Sequence, residues 1–361
     1  MPESDLAVTA PPVPGLARMG GAVRRVNPIE DPGWDARVRA WPETSFFHEA
    51  AWARVLHGAY GFRPCYFTDD DARSLLPIME VDSWLTGRRG VALPFTDESA
   101  PVCGDGASWD RLWREALDYA RARGWRYLEC RGGRSLIRGV PASTSYYGHR
   151  LALAGNGQTR FAHVDGSVRR AVRKAEQSGL RVEFSRSPDA IRVFRRLHCR
   201  TRRRHGIPPQ PFSFFQNIQR HILEQDQGWV VLAWHDRIPV AGAVFFCSRK
   251  TASYKFAASD EAWQHLRPSN LVVWEAIDRF AQLGLAELDF GRTSLDNEGL
   301  RRFKLGWGAQ ERRIDYVRYD LHSRRFVTVR DRASGWYNRV FRRLPLVLSR
   351  LAGVAFYRHM A

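Results

Sequence analysis

WVVLAWHDRIPVAGAVFFCSRKTASYKFAASDEAWQHLRPSNLVVWEAIDRFAQLGLAELDFG, residues 229–291, decides the fold class. Its first part, 229–259, reads as strand, turn, strand, turn, strand. NLVVWEAIDRFAQLGLAELDFG (270–291) then gives a helix and a further strand. Just upstream, SPDAIRVFRRLHCRTRRRHG (187–206) has helical spacing, with Ile191, Phe194, Leu197 and Thr201 towards one side. Pro188 sits in its first turn and Gly206 at its end. Helix, antiparallel meander, helix, strand is an α+β order.

The first half follows the same grammar. SFFHEAAWARVLHGAYG (45–61) places Phe47, Ala51, Val55 and Tyr60 near one helix face. CYFTDDDARSLLPIMEV reads as two strands across an acidic turn. DRLWREALDYARARG (110–124) is a helix ending at glycine, followed by the strand WRYLEC (125–130). The repetition predicts an internal duplication. The boundary is expected in LALAGNGQTRF (151–161), giving a flexible tail over 1–25, domains over 26–155 and 156–330, and a basic amphipathic C-terminal segment over 331–361.

Length and composition fit that division. The 361 residues are 44% hydrophobic and 12% aromatic, enough for two packed cores. Five scattered cysteines without a C-x-x-C point to neither disulfides nor a zinc ribbon, and favour a cytoplasmic setting. Residues 1–25 lack the apolar run of a signal peptide, and no stretch reaches the roughly 18 apolar residues of a spanning helix. The net charge of +18 predicts an anionic partner: nucleic acid, a phosphorylated metabolite or a membrane surface. WYNRVFRRLPLVLSRLAGVAFYRHM (336–360) is apolar and basic together. It suits either an anionic membrane interface, which would make the protein peripheral to the inner face of the plasma membrane, or a helix docked on the protein's own body.

Familiar catalytic motifs are missing: there is no G-x-S-x-G, H-E-x-x-H or Walker loop. His198, Cys199 and His205 make a poor ligand set, so no metal is expected. Of 56 lysine and arginine residues only four are lysine: Lys174, Lys250, Lys255 and Lys304. Lysine at 304, in RRFKLGWGA (301–309), is therefore notable. Phe303 and Trp307 are spaced to anchor a short turn, and Gly306 and Gly308 allow close backbone approach. This predicts an ammonium held at a cleft, where a compact charge of adjustable pKa can meet a developing oxyanion or donate a proton to it. Two arginine-rich helices, SVRRAVRKAEQSG (167–179) and the helix carrying Arg195, Arg196, Arg200, Arg202, Arg203 and Arg204, suit phosphate or an RNA backbone.

The blocks VRRAVRKAEQSGLRV (168–182), FRRLHCRTRRRHG (194–206), YKFAASD (254–260), LRPSNLVVWEAI (266–277), LDFGRT (288–293) and RFKLGWGA (302–309) resemble, in order and spacing, the FemAB-like branch of the Gcn5-related acetyltransferase fold. FHEAAWARVLHGAYGFRP (47–64) and LPFTDESAP (93–101) resemble that family's first domain. The resemblance implies two tandem acetyltransferase-like domains, each a mixed, largely antiparallel sheet flanked by helices. It implies transfer of an amino acid from aminoacyl-tRNA to an amine of a peptidoglycan precursor. Lys304 falls at the catalytic lysine, Asp97 where a carboxylate meets the attacking amine, and Arg204 at a phosphate-contacting arginine. Arg202, Tyr254, Arg292 and Asn297 are further substrate-binding candidates. A first-domain lysine of the family is replaced near Leu56, and QHLRPSN (264–270) stands where a Q/R-x-x-G-x-G/A pyrophosphate loop is expected.

The expectation is an acyl- or aminoacyltransferase with no tightly bound cofactor, acting on a phosphorylated or lipid-linked glycan precursor with tRNA as donor partner. One alternative is an acyl-CoA-dependent N-acyltransferase of exopolysaccharide biosynthesis. Another is a non-catalytic RNA- or membrane-binding protein on the same scaffold.

Overall fold

The computed structural model describes residues 22–69, 73–137, 139–329 and 336–360. In chain order the first half runs β1 (Arg24–Val26), α1 (Trp34–Arg39), α2 (Ala50–Tyr60), β2 (Arg63–Thr68), β3 (Leu75–Val81), β4 (Arg89–Ala92), α3 (Gly106–Ala122), β5 (Tyr127–Arg131) and β6 (Thr144–Ala152). The second begins α4 (Gly157–His163), α5 (Gly166–Gln177), β7 (Leu180–Ser185), α6 (Pro188–Arg204), α7 (Phe212–Ile218), β8 (Gly228–His235), β9 (Ile238–Ser248) and β10 (Thr251–Ser259). It continues α8 (Pro268–Gln282), β11 (Glu287–Ser294), α9 (Glu298–Leu305), β12 (Gln310–Asp320) and β13 (Arg325–Phe326), and α10 (Trp336–Arg343) and α11 (Leu346–Phe356) follow.

The strand order is β1-β2-β3-β4-β5-β12-β6-β11-β10-β9-β8-β7, with β13 beside β12. The duplication is plain in this order. Each half has four strands in antiparallel succession, then a parallel neighbour, at β4–β5 in the first and β10–β11 in the second. The last strand of each half comes from the other: β12 pairs with β5, and β6 pairs with β11. β6 and β12 also pair with each other, so the two expected sheets form one. A cut between 155 and 156 therefore parts β6 from β11, its partner in the second half. At the other end, Arg24–Val26 pairs with β2, so Arg24 and Arg25 of the expected 1–25 tail belong to the sheet. Residues 1–21 of that tail lie outside the described residues.

Local chemistry explains the elements. Ser187 caps α6 by accepting from Ala190 N at 3.1 Å, Pro188 follows it, and Gly206, at φ +67°, lies just beyond the helix end. β3 is buried at every position, as expected of a strand covered on both faces. One core joins the halves: Trp52 and Leu56 of α2 meet Phe214 of α7 and Phe246 of β9. Two others lie beneath α5 and α8 in the second half and beneath α3 in the first. α11 docks on this body. Its Gly353 lies so close that a Cβ would sit 2.0 Å from the Pro209 carbonyl oxygen, and Arg202 donates to the Tyr357 hydroxyl at 2.5 Å. Among the described residues no helix is long and apolar enough to cross a membrane.

Candidate active site

The parallel pairing of β10 with β11 ends at Ser253↔Asp289. Past that point both strands are irregular: β10 shifts register against β9 between Tyr254 and Phe256, and β11 shifts against β6 between Asp289 and Arg292. Such irregularities re-aim side chains, and here Lys255 is the one displaced. The loop leaving β4, LPFTDESAP, enters this gap from the first half. Leu93 and Phe95 hold positive φ there (39° and 64°), a strained stretch two residues before Asp97. Glu98 pairs with Arg312 of β12, which pins the loop across the halves.

Asp97 is the hub. Its Oδ2 lies 3.5 Å from Lys255 Nζ and its Oδ1 lies 3.7 Å from Arg292 Nε. The Tyr316 hydroxyl donates to the Asp97 backbone carbonyl at 2.7 Å and accepts from Arg292 at 2.9 Å. Burial raises the Asp97 pKa, but Lys255, Arg292 and Lys304 together hold the carboxyl below its usual range. Lys255 donates to Phe95 O at 2.6 Å, with its ammonium among the rings of Phe47, Trp52 and Phe256. Burial lowers its pKa against the opposing pull of Asp97.

Lys304 lies beneath β11, only 2% exposed, and donates to the carbonyls of Gly291 and Arg292, each at 2.9 Å. The short turn expected around it is an eight-residue helix, α9. This corrects the picture of an ammonium open to a cleft, because two of its protons are spent on the backbone. Burial lowers its pKa to about 8, although Asp97 and Asp289 favour the charged form. Gly291 makes the arrangement possible. At φ +68° a Cβ there would lie 2.5 Å from Asp97 Oδ2. Gly291→Ala is expected to cost roughly 1–3 kcal/mol and to push the carboxylate aside. Urea unfolding and steady-state kinetics on the same variant read both effects.

A cavity of about 800 Å³ opens against this cluster, lined by Asp97, Gly291, Asp289, Tyr254, His48 and Arg150 among others. Asp289 accepts from Gly291 N at 2.7 Å, and burial raises its pKa. Two carboxylates with pKa values displaced in opposite directions thus face one cavity.

The remaining candidates lie elsewhere. Arg204 is at the other end of β10: the Gln264 amide, with its oxygen turned inward, accepts from it at 2.7 Å, just before α8. Neighbouring Thr201 bonds Ser259 at 3.1 Å, five residues along β10 from Tyr254 at the cavity. Arg202 is engaged by Tyr357. Asn297 caps α9, accepting from Leu300 N at 3.1 Å, which accounts for an asparagine there without a substrate. Lys255 and Asp289 are not among the expected site residues, although both stand in resemblance blocks, YKFAASD and LDFGRT, and lysine scarcity singles out Lys255 as sharply as it does Lys304.

Residues 162–318 match the family model for an acetyltransferase (GNAT) domain. FemX superposes at a TM-score of 0.66 and 14% identity, over 81% of this chain and 96% of that one. The C-terminal domain of a putative lysylphosphatidylglycerol synthetase from Agrobacterium fabrum does so at 0.55 and 14%, over 80% and 90%. A tandem GNAT protein from the clavulanic acid biosynthesis pathway gives 0.51 and 10%, over 83% and 98%. No curated protein matches the chain in sequence. At these identities the likeness is one of fold, and it bears out the FemAB-like resemblance and the tandem acetyltransferase-like architecture.

Proposed function

We propose that the chain is an acyltransferase moving an acyl or aminoacyl group onto an amine of a cell-envelope glycan or peptidoglycan precursor. The observation that carries this reading is the meeting of Asp97 with two of the four lysines where β10 and β11 part. The acceptor enters the cavity as an ammonium, and Asp97, kept ionised by its cations, holds it. Asp97 is for that reason a weak base, and Asp289 is the better proton acceptor of the two. The freed amine attacks the carbonyl carbon of an ester or thioester. A C–N bond forms, the C–O or C–S bond breaks, and the leaving oxygen or sulfur takes up a proton. Lys304 and Lys255 supply fixed positive charge at a poorly solvated place, where charge on the carbonyl oxygen is stabilised most. Lys304 acts from beneath the Gly291–Arg292 backbone.

Two donors fit. The resemblance to peptidoglycan-bridge aminoacyltransferases supports aminoacyl-tRNA, and the acetyltransferase domain match supports acyl-CoA. Either brings phosphate, for which Arg204 and the exposed Arg267, at the start of α8, are the candidate contacts. Donor-dependence decides. Purified protein is incubated with an amine-bearing precursor and either aminoacyl-tRNA or acyl-CoA, and the conjugate is read by mass spectrometry. Product with one donor and not the other assigns the class. Absence of product with both, from folded protein, returns the scaffold to a binding role.

A further inference from the structure

Eight large apolar side chains lie exposed in one region built from two distant parts of the chain. Val347, Leu348, Leu351 and Val354 lie on the outer face of α11, Phe356 ends the helix and Met360 follows, and Trp84 and Leu85 form the tip of the β3–β4 hairpin. Trp84 is 84% exposed and Leu351 60%, and it is their grouping with the others, rather than any one exposure, that marks an interaction surface. The two parts are stitched together. Ser83 Oγ lies 2.8 Å from His359 Nδ1, Arg89 donates to His359 O at 2.9 Å, and the Trp84 ring meets the His359 ring edge-on at 5.4 Å. The inner face of α11, with Ser349, Gly353 and Tyr357 buried, holds the helix to the body. The outward side chains are therefore presented by a fixed surface.

Charge chooses the occupant. From Trp336 to Met360 the chain carries five arginines and no acidic residue. Arg342, Arg343 and Arg358 are exposed around the apolar face. A second copy would set arginines against arginines, whereas lipid phosphates would neutralise them. We infer that the outer face of α11 and the Trp84–Leu85 tip form a docking surface for an anionic bilayer, with the apolar side chains in the interface and the arginines among the headgroups. The two readings of the C-terminal segment then belong to its two faces. Nothing in this inference depends on the chemistry at Asp97.

The test is co-sedimentation of the full chain with phosphatidylcholine vesicles, with and without phosphatidylglycerol. The wild type is expected to partition onto the anionic vesicles and about tenfold less onto the neutral ones. Leu351→Gln with Val354→Gln, and separately Trp84→Ala, should each weaken partitioning by about tenfold at unchanged circular dichroism, since these side chains face solvent. Equal sedimentation of wild type and both variants would overturn the inference, as would failure of the wild type to bind anionic vesicles. A wild-type dimer that the glutamine pair converts to a monomer, with no vesicle binding, would assign the face to a second copy instead.

Discussion

Asp97→Asn is expected to lower kcat/KM by roughly 10²–10³, the scale of losing one preorganised electrostatic partner. Asparagine keeps the shape of the side chain but removes the charge that Lys255, Arg292 and Lys304 surround. Two consequences separate a substrate-facing role from a purely structural one. If Asp97 holds the acceptor's ammonium, the loss should fall partly on KM for the acceptor, and Lys255→Met should not restore turnover to the asparagine variant. If Asp97 serves only as counterion to Lys255, removing both charges should recover most of the activity, and the double-mutant cycle would show strong coupling. Stability carries its own signature. The carboxyl's depressed pKa contributes stability that is present above its unfolded value and is lost as pH falls through the folded one. The acid-side loss in wild type should therefore be shallower in Asp97→Asn.

The elements were legible because their periodicities are local. The meander of 229–259, the α6 stripe of Ile191, Phe194 and Leu197, and the capping Ser187 each declare themselves within a few residues. The exchange of β6 and β12 was not. QERRIDYVRYD carries alternating charge and apolar residues that fit many neighbours, and its place between β5 and β6 depends on pairings such as Val317↔Cys130 and Ile314↔Tyr146, over 160 residues away in sequence. The site divides along the same line. All three acid and amine groups stand in recognisable blocks, but whereas Asp97 and Lys304 declare a role there, Asp289 becomes chemically distinctive only through burial and a raised pKa. Arg204 shows the converse: it reads as part of the same site, but five residues of strand separate its neighbour Ser259 from the cavity edge at Tyr254.

Lys304 gives the sharpest test, because two explanations of it predict opposite pH behaviour. Lys304→Met removes the buried ammonium and should lower kcat by about 10²–10³, or roughly 2.7–4 kcal/mol. That loss alone does not settle the role, since methionine also leaves the Gly291 and Arg292 carbonyls without their donor. Lys304→Arg restores a cation, but its larger fork must fit a site that is 2% exposed, and it cannot shed a proton near neutrality. It should be nearly as poor as methionine, and near-wild-type turnover by the arginine variant would end the catalytic reading. The pH profile then separates charge from scaffolding. With a folded pKa of about 8, wild-type kcat should fall as pH rises through 8 if the ammonium stabilises the oxyanion, and should stay level there if the lysine is only a backbone clamp. Stability must move the other way. Between about 8 and 10.5 the unfolded chain binds the proton that the folded one has released, so wild type gains stability relative to Lys304→Met as pH rises across that window. Activity falling while relative stability rises, both centred on the same titration, is the pattern expected of one buried lysine whose charge is costly to the fold and needed by the reaction.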